Sequence, residues 1–235
     1  MAEGRVCLIT GASRGIGRAT ALALHAAGWR LALAARGEEA LAALAADIGG
    51  ADHLVIPCDV TREAEVAAAV AEAVRRFGGL DALVCAAGVG SFAPTVDSTT
   101  ADWDAQIGAN LTGTYLACRE ALKVMLPRRA GHLVTILSVA STVAFPASAA
   151  YCASKWGAYG LTKVLAEEVR REGVRVTAVL PGSTDTPFWD AISGGPPRED
   201  MLPAARVADA VVYALEAPPD VSVDEIAVMP PKGIL

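Results

Sequence analysis

Tyr151 and Lys155 stand four residues apart, and no other pair in this sequence is better suited to moving a proton. An unperturbed phenol near pKa 10 is a poor acid–base group at neutral pH. Residues four apart share a helix face, so the ammonium can lie beside the phenol and lower its pKa by favouring phenolate. Ser138, thirteen positions earlier at the end of an apolar run, adds a hydroxyl that can steady charge on a reacting oxygen. By itself the tyrosine–lysine spacing is a weak signal.

A second constellation reads Thr10-Gly11-Ala12-Ser13-Arg14-Gly15-Ile16-Gly17. Glycines so placed let the backbone turn sharply and approach a pyrophosphate, which then rests on a helix N-terminus. Without a ligand the same residues make only a tight strand-to-helix turn. Enzymes that use NADH place an acid at the end of the second strand, to bond the ribose 2′-hydroxyl. Here that place holds Ala35, followed by Arg36, and Arg14 lies inside the glycine turn. Two guanidiniums there can grip a 2′-phosphate, which predicts NADPH over NADH. Alternatively both arginines are solvated, and Glu38 and Glu39 stand close enough in sequence to pair with Arg36.

Short apolar runs at 5–9, 30–35, 53–58, 80–85, 132–137, 174–180 and 226–229 read as strands. Helical spacing fills 16–27, 38–48, 63–77, 101–126, 150–172 and 204–215. Strand and helix alternating at this pitch predict right-handed crossovers and a parallel sheet. Runs without polar alternation, 31–35 and 80–85, are buried on both faces. The fold class is therefore α/β, a Rossmann-type doubly wound sheet with helices on both faces, as one dinucleotide-binding and catalytic domain over 1–235. The irregular segment 182–203 carries Gly194-Gly195-Pro196-Pro197 and reads as a substrate lid.

A chain of 235 residues, 53% of them hydrophobic, can bury a core without metal or disulfide staples. A net charge of −6 argues against nucleic acid as a partner. No apolar run is long enough for a bilayer, and the stretch 6–9 is too short for a signal peptide, so a cytoplasmic location is expected. Five cysteines without a C-x-x-C pair suit a reducing compartment. His25, His53 and His132 show no metal-ligand spacing, and no metal site is expected.

Taken in order, these motifs resemble the short-chain dehydrogenase/reductase family, from the first strand to about Thr186. The glycine turn is similar to the family's cofactor motif. Asp59-Val60 resembles the dipeptide that contacts adenine, and Ala86-Ala87-Gly88 the segment after the fourth strand. Asn110, Ser138, Tyr151 and Lys155 match the catalytic tetrad. Pro181-Gly182-Ser183-Thr184-Asp185-Thr186 resembles the loop that holds the nicotinamide carboxamide. Two features depart from the family: Cys85 stands where it usually has Asn, a residue thought to brace the sheet, and the C-terminal 226–235 lacks a familiar glycine-paired ending.

The resemblance implies hydride transfer between nicotinamide and a carbonyl or secondary alcohol of a small molecule; with Arg14 and Arg36 the expected cofactor is NADP(H), and with Phe92, Phe145, Phe188 and Trp189 the expected substrate is apolar. Cofactor contacts would fall to Gly11, Ser13, Arg14, Gly15, Ile16, Gly17, Arg36, Asp59 and Val60. Ala87, Gly88, Asn110, Tyr151, Lys155, Pro181, Gly182, Thr184 and Thr186 would complete them. Tyr151 would be the general acid, Lys155 its pKa-lowering neighbour and the holder of the nicotinamide ribose, and Ser138 the partner of the substrate oxygen. Asn110 would hold a water linking Lys155 to solvent. A homo-oligomer, tetramer or dimer, is implied as well.

Other readings are a 3-oxoacyl-carrier-protein reductase-like enzyme, with Arg128, Arg129, Arg170 and Arg171 as a carrier patch, and a non-catalytic dinucleotide sensor. A sensor would have no use for Tyr151, Lys155 and Ser138 together. A methyltransferase would need an acid after the second strand, where Ala35-Arg36 offers none. Phe92, Phe145, Phe188 and Trp189 fit either an apolar substrate site or ordinary core.

Overall fold

The computed structural model describes residues 4–49, 53–192 and 194–234. Residues 1–3, 50–52, 193 and 235, which include the ends of the expected domain and one position of the 182–203 segment, lie outside the described residues. The chain runs β1 (Val6–Thr10), α1 (Gly15–Ala26), β2 (Arg30–Ala35), α2 (Glu38–Ile48), β3 (His53–Pro57), α3 (Glu63–Phe77) and β4 (Ala82–Cys85). It continues with α4 (Thr100–Gln106), α5 (Gly113–Arg128), β5 (Gly131–Ile136), α6 (Ala149–Val169) and β6 (Val174–Pro181). Two short strands, β7 (Thr184–Asp185) and β8 (Leu202–Pro203), precede α7 (Ala204–Glu216) and β9 (Glu225–Val228).

Seven strands pair in parallel in the order β3-β2-β1-β4-β5-β6-β9. β1 explains why such strands are apolar throughout. Val6 and Leu8 pack into one layer with residues of α3, α5 and α6, while Cys7 and Ile9 pack into the other with α1, α2 and α7. Each fully buried side chain of this size contributes about 1.5–3 kcal/mol, so a polar residue on either face would be costly. The chain builds outward from β1 to β3, then returns to place β4 on the other side of β1. That reversal opens a crevice at the carboxyl ends of β1 and β4, where ligands of such sheets bind.

Two predicted elements need correction. The helix expected over 101–126 is interrupted by a π-helical turn at Ile107–Thr112, between α4 and α5. The buried positions here are Gln106 and Asn110, both polar, so apolar periodicity does not reveal it. Such turns often mark functional positions, and Asn110, 1% exposed, lies within this one. The segment 182–203 is also more ordered than a bare loop, because β7 and β8 pair in parallel and 3₁₀ turns form at Pro187–Trp189 and Arg198–Asp200.

Candidate active site

A cavity of about 980 Å³ opens at the crevice between β1 and β4. One end is bordered by Gly11, Ser13, Arg14, Gly15 and Ile16 of the glycine turn, by Arg36 after β2, and by Asp59 and Val60 after β3. Ala87 and Gly88 line its middle. Ser138, Tyr151, Lys155, Pro181, Gly182, Thr184 and Thr186 border the rest. Gly17 and Asn110 do not line it. Gly17 instead permits close packing, since a Cβ there would lie 2.2 Å from the Gly11 carbonyl oxygen.

The glycine turn is shaped by its residue types. Gly11 and Gly15 have φ of 68° and 56°, a region glycine enters without strain. A Cβ on Gly11 would also meet the Ala87 backbone at 2.6 Å, so β1 and β4 could not close as they do. α1 opens without an acidic residue in its first turn or a side-chain cap, leaving its positive end free for an anion. Arg14 and Arg36 are exposed, and neither has a hydrogen-bond or ion-pair partner among the described residues. Glu38 and Glu39 do not engage Arg36. Asp59 accepts from Thr61 N at 3.0 Å and Thr61 Oγ1 at 2.8 Å, and these bonds, helped by Arg36, hold its carboxyl below the usual range. A narrow glycine cradle, a bare helix N-terminus and two free guanidiniums at the rim fit a phosphorylated dinucleotide.

At the other end, α6 presents Tyr151 in its first turn and Lys155 one turn later. Ser138 follows β5, where its Oγ accepts from Ala140 N at 3.1 Å. The Lys155 ammonium lies 5.8 Å from the Tyr151 ring centroid and donates to Ile136 O at 3.1 Å. Burial pushes the Lys155 pKa down to about 8. Burial likewise pushes Tyr151 up to about 12, against a lowering hydrogen bond with Ser138. Burial outweighs that bond, so the phenol stands above its ordinary value, with the Lys155 ammonium over its ring.

Asn110 is occupied by protein on every side. Its Nδ2 donates to Val89 O and Ser154 Oγ, each at 2.9 Å, and its Oδ1 accepts from Val89 N at 2.8 Å. The amide therefore braces the strand-exit segment 86–89 against α6, and holds Gly88 near Lys155: a Cβ on Gly88 would lie 3.1 Å from Asn110 Oδ1 and 3.8 Å from Lys155 Nζ.

The aromatic side chains converge on the tyrosine. Phe92 and Phe188 have ring centroids 5.5 and 5.7 Å from that of Tyr151, and Trp189 stacks on Phe92 at 6.2 Å. Phe145 also lines the cavity. Three features of this wall have no counterpart in the sequence reading. Arg198 donates to Asp185, Asp190 and Thr186 O at 2.6–2.8 Å, stapling the 182–203 segment from within. Gly90 makes room for Phe188. Ile234 of the unusual C-terminus enters the lining, while Met229 and Pro230 pack on Gly182. Only the run of opposite charges 185, 190 and 198 gave any sign of the staple.

Elsewhere, the Cys85 thiol meets Cys118 at 3.8 Å, so a thiol pair joins β4 to α5 at the position of the family's Asn. The arginines of the supposed carrier patch are largely engaged: Arg128 with Asp81, Arg129 with Glu172, and Arg170 with Glu167 and Asp224. No helix among the described residues is long and apolar enough to cross a membrane.

Comparison with known proteins agrees with this geometry. A D-threitol dehydrogenase of Mycolicibacterium smegmatis is 40% identical over 88% of this chain and 81% of its own length. A metagenomic short-chain oxidoreductase solved in complex with NADP is 35% identical, with a TM-score of 0.85 over 97% of this chain and 98% of the other. An alcohol dehydrogenase of the archaeon Thermococcus sibiricus, complexed with 5-hydroxy-NADP, is 30% identical, with a TM-score of 0.89 over 96% of each chain. A family model described as short chain dehydrogenase matches residues 5–195, the span that carries the glycine turn, Ser138, Tyr151 and Lys155, and the chain accordingly belongs to the short-chain dehydrogenase/reductase family of oxidoreductases.

Proposed function

We propose that this protein is an NADP(H)-dependent carbonyl reductase, and in reverse an alcohol dehydrogenase, for small uncharged apolar substrates. The observation that carries this reading is the meeting of Ser138, Tyr151 and Lys155 on one wall of a cavity whose far rim holds two exposed arginines, neither in a hydrogen bond or ion pair among the described residues. Bound in that cavity, the nicotinamide cofactor supplies or accepts a hydride. Arg14 and Arg36 would hold its 2′-phosphate, the glycine turn its pyrophosphate, and Thr184 and Thr186 its carboxamide end.

The chain's own residues handle the proton. With a pKa raised to about 12, Tyr151 is protonated at neutral pH and can give its proton to an oxygen that becomes an alkoxide. Ser138 donates to the same oxygen as charge gathers there. Lys155 sits close enough to stabilise the tyrosinate that remains. Asn110 keeps segment 86–89 and Lys155 in register; a water at its turn would complete a proton path to solvent.

The substrate end argues for apolar compounds. Of the ionisable side chains lining the cavity, Arg14, Arg36 and Asp59 lie at the nucleotide end, leaving Lys155 and Tyr151 beside Phe92, Phe145, Phe188 and Trp189. The D-threitol dehydrogenase among its relatives raises a polyol substrate as the second reading. The free thiols favour a reducing, cytoplasmic compartment.

Tyr151→Phe should lower kcat by ~10²–10⁴-fold and leave cofactor affinity nearly unchanged, because the phenol acts only as charge develops. Stopped-flow turnover of a ketone panel with NADPH checks this, and retention of more than about a tenth of wild-type kcat contradicts the general-acid role. For the cofactor, kcat/KM with NADPH should exceed that with NADH by about 10²-fold, through charge-assisted bonds of roughly 1.5–3 kcal/mol each. Arg14→Ala with Arg36→Ala should erase the preference; its persistence would overturn this reading of the rim.

A further inference from the structure

Phe188 occupies the place that a side chain at residue 90 would take. A Cβ on Gly90 would lie 2.3 Å from Phe188 Cζ and 2.7 Å from Cε2. Non-bonded carbons settle at about 3.5–4.0 Å, so the ring can sit there only because residue 90 is glycine. Backbone shape does not demand glycine at this point, since Gly90 is not among the residues of positive φ. What its missing side chain provides is a socket.

The seated ring bounds the reaction space. Its centroid lies 5.7 Å from that of Tyr151 and 6.2 Å from that of Phe92. On its other side it meets Trp189 edge-on at 5.4 Å. Trp189 is fixed in turn: its Nε1 donates to Thr184 O at 3.1 Å, and a Cβ on Gly195 would lie 2.8 Å from its ring. Phe188 therefore cannot shift sideways freely. A methyl group at residue 90 would push the ring tip off by about 1 Å, and the ring's place beside Tyr151 would shift with it.

We propose that Gly90 is a specificity-determining position, which seats Phe188 and thereby limits the bulk of the carbonyl compound that can present its oxygen to Tyr151. This rests on the reductase reading. The wild type then favours slender ketones, and the limit lies in residue 90 acting through residue 188.

Gly90→Ala, Phe188→Ala and the double variant separate the possibilities. Two quantities are read: the ratio of kcat/KM for a bulky aryl ketone to that for a slender methyl ketone, and the near-ultraviolet circular dichroism of the cofactor-free protein, which senses the Phe188–Trp189 cluster. Gly90→Ala should raise the ratio about tenfold and alter the aromatic band. Phe188→Ala should raise it in the same direction, and adding Gly90→Ala to Phe188→Ala should change nothing further. An effect of Gly90→Ala that persists without Phe188, or an unchanged ratio in Phe188→Ala, overturns the proposal. An unchanged band in Gly90→Ala beside normal turnover overturns the socket alone. Failure of the wild type to reduce either ketone, with the band altered as stated, sinks the reductase reading and the specificity role with it.

Discussion

Lys155 shows what a buried ammonium costs. It is 6% exposed, with one carbonyl partner, Ile136 O, and its pKa falls from 10.5 to about 8. Because the folded value is the lower one, the folded chain bears the full penalty of a buried charge below about pH 8 and sheds it as pH rises toward 10.5. The penalty is at most roughly 3 kcal/mol, and the lost hydrogen bond would offset about 1. Lys155→Met should therefore abolish turnover yet stabilise the protein by about 2 kcal/mol at pH 7, a gain that fades by pH 10.5. Urea unfolding of both proteins at pH 7 and 10 checks it, and a variant less stable at pH 7 would contradict this account. That Tyr151, Lys155 and Ser138 border one cavity was legible from the order of the motifs. The pKa of Tyr151 was not, because its burial depends on neighbours such as Phe92 and Phe188 that arrive from distant parts of the chain.

At the scale of elements, apolar runs located the sheet strands because burial on both faces erases polar alternation. The π turn at Ile107–Thr112 escaped because its one buried residue is the polar Asn110, whose partners Val89 and Ser154 come from distant parts of the chain. The staple in segment 182–203 is tertiary too. Arg198 reaches back to Asp185 and Asp190, flanking Phe188, which packs on Tyr151, and Trp189 beside it. These are exposed ion pairs, so Arg198→Ala should scarcely move Tm. It should instead speed hydrogen exchange of amides 186–190 several-fold and raise KM more than it lowers kcat. Exchange at the wild-type rate would mean that β7, β8 and the aromatic packing hold the segment without Arg198.

At the scale of the whole molecule, Trp103, Tyr115, Trp156 and Val164 expose between 43% and 54% of their surface on α4, α5 and α6. A helical face of this kind suits a symmetric partner. Sedimentation equilibrium should give a multiple of the 24.1 kDa protomer mass, a tetramer or dimer, and Trp156→Glu should lower it. A mass near 24.1 kDa at micromolar concentration would contradict this. The parallel register also governs the order in which the molecule can be made. No two neighbouring strands are joined by a hairpin, and β1 waits for β4, with Cys7 paired to Ala82, before it is enclosed on both sides. Closing such distant pairs is slow, and a chain emerging from the ribosome presents its N-terminal part first. The strands β1 to β4, which are followed by Gly11, Arg36, Asp59 and Gly88, thus emerge before Tyr151 has been synthesised. A half-made chain would hold the glycine turn and Arg36 while still lacking Tyr151 and Lys155.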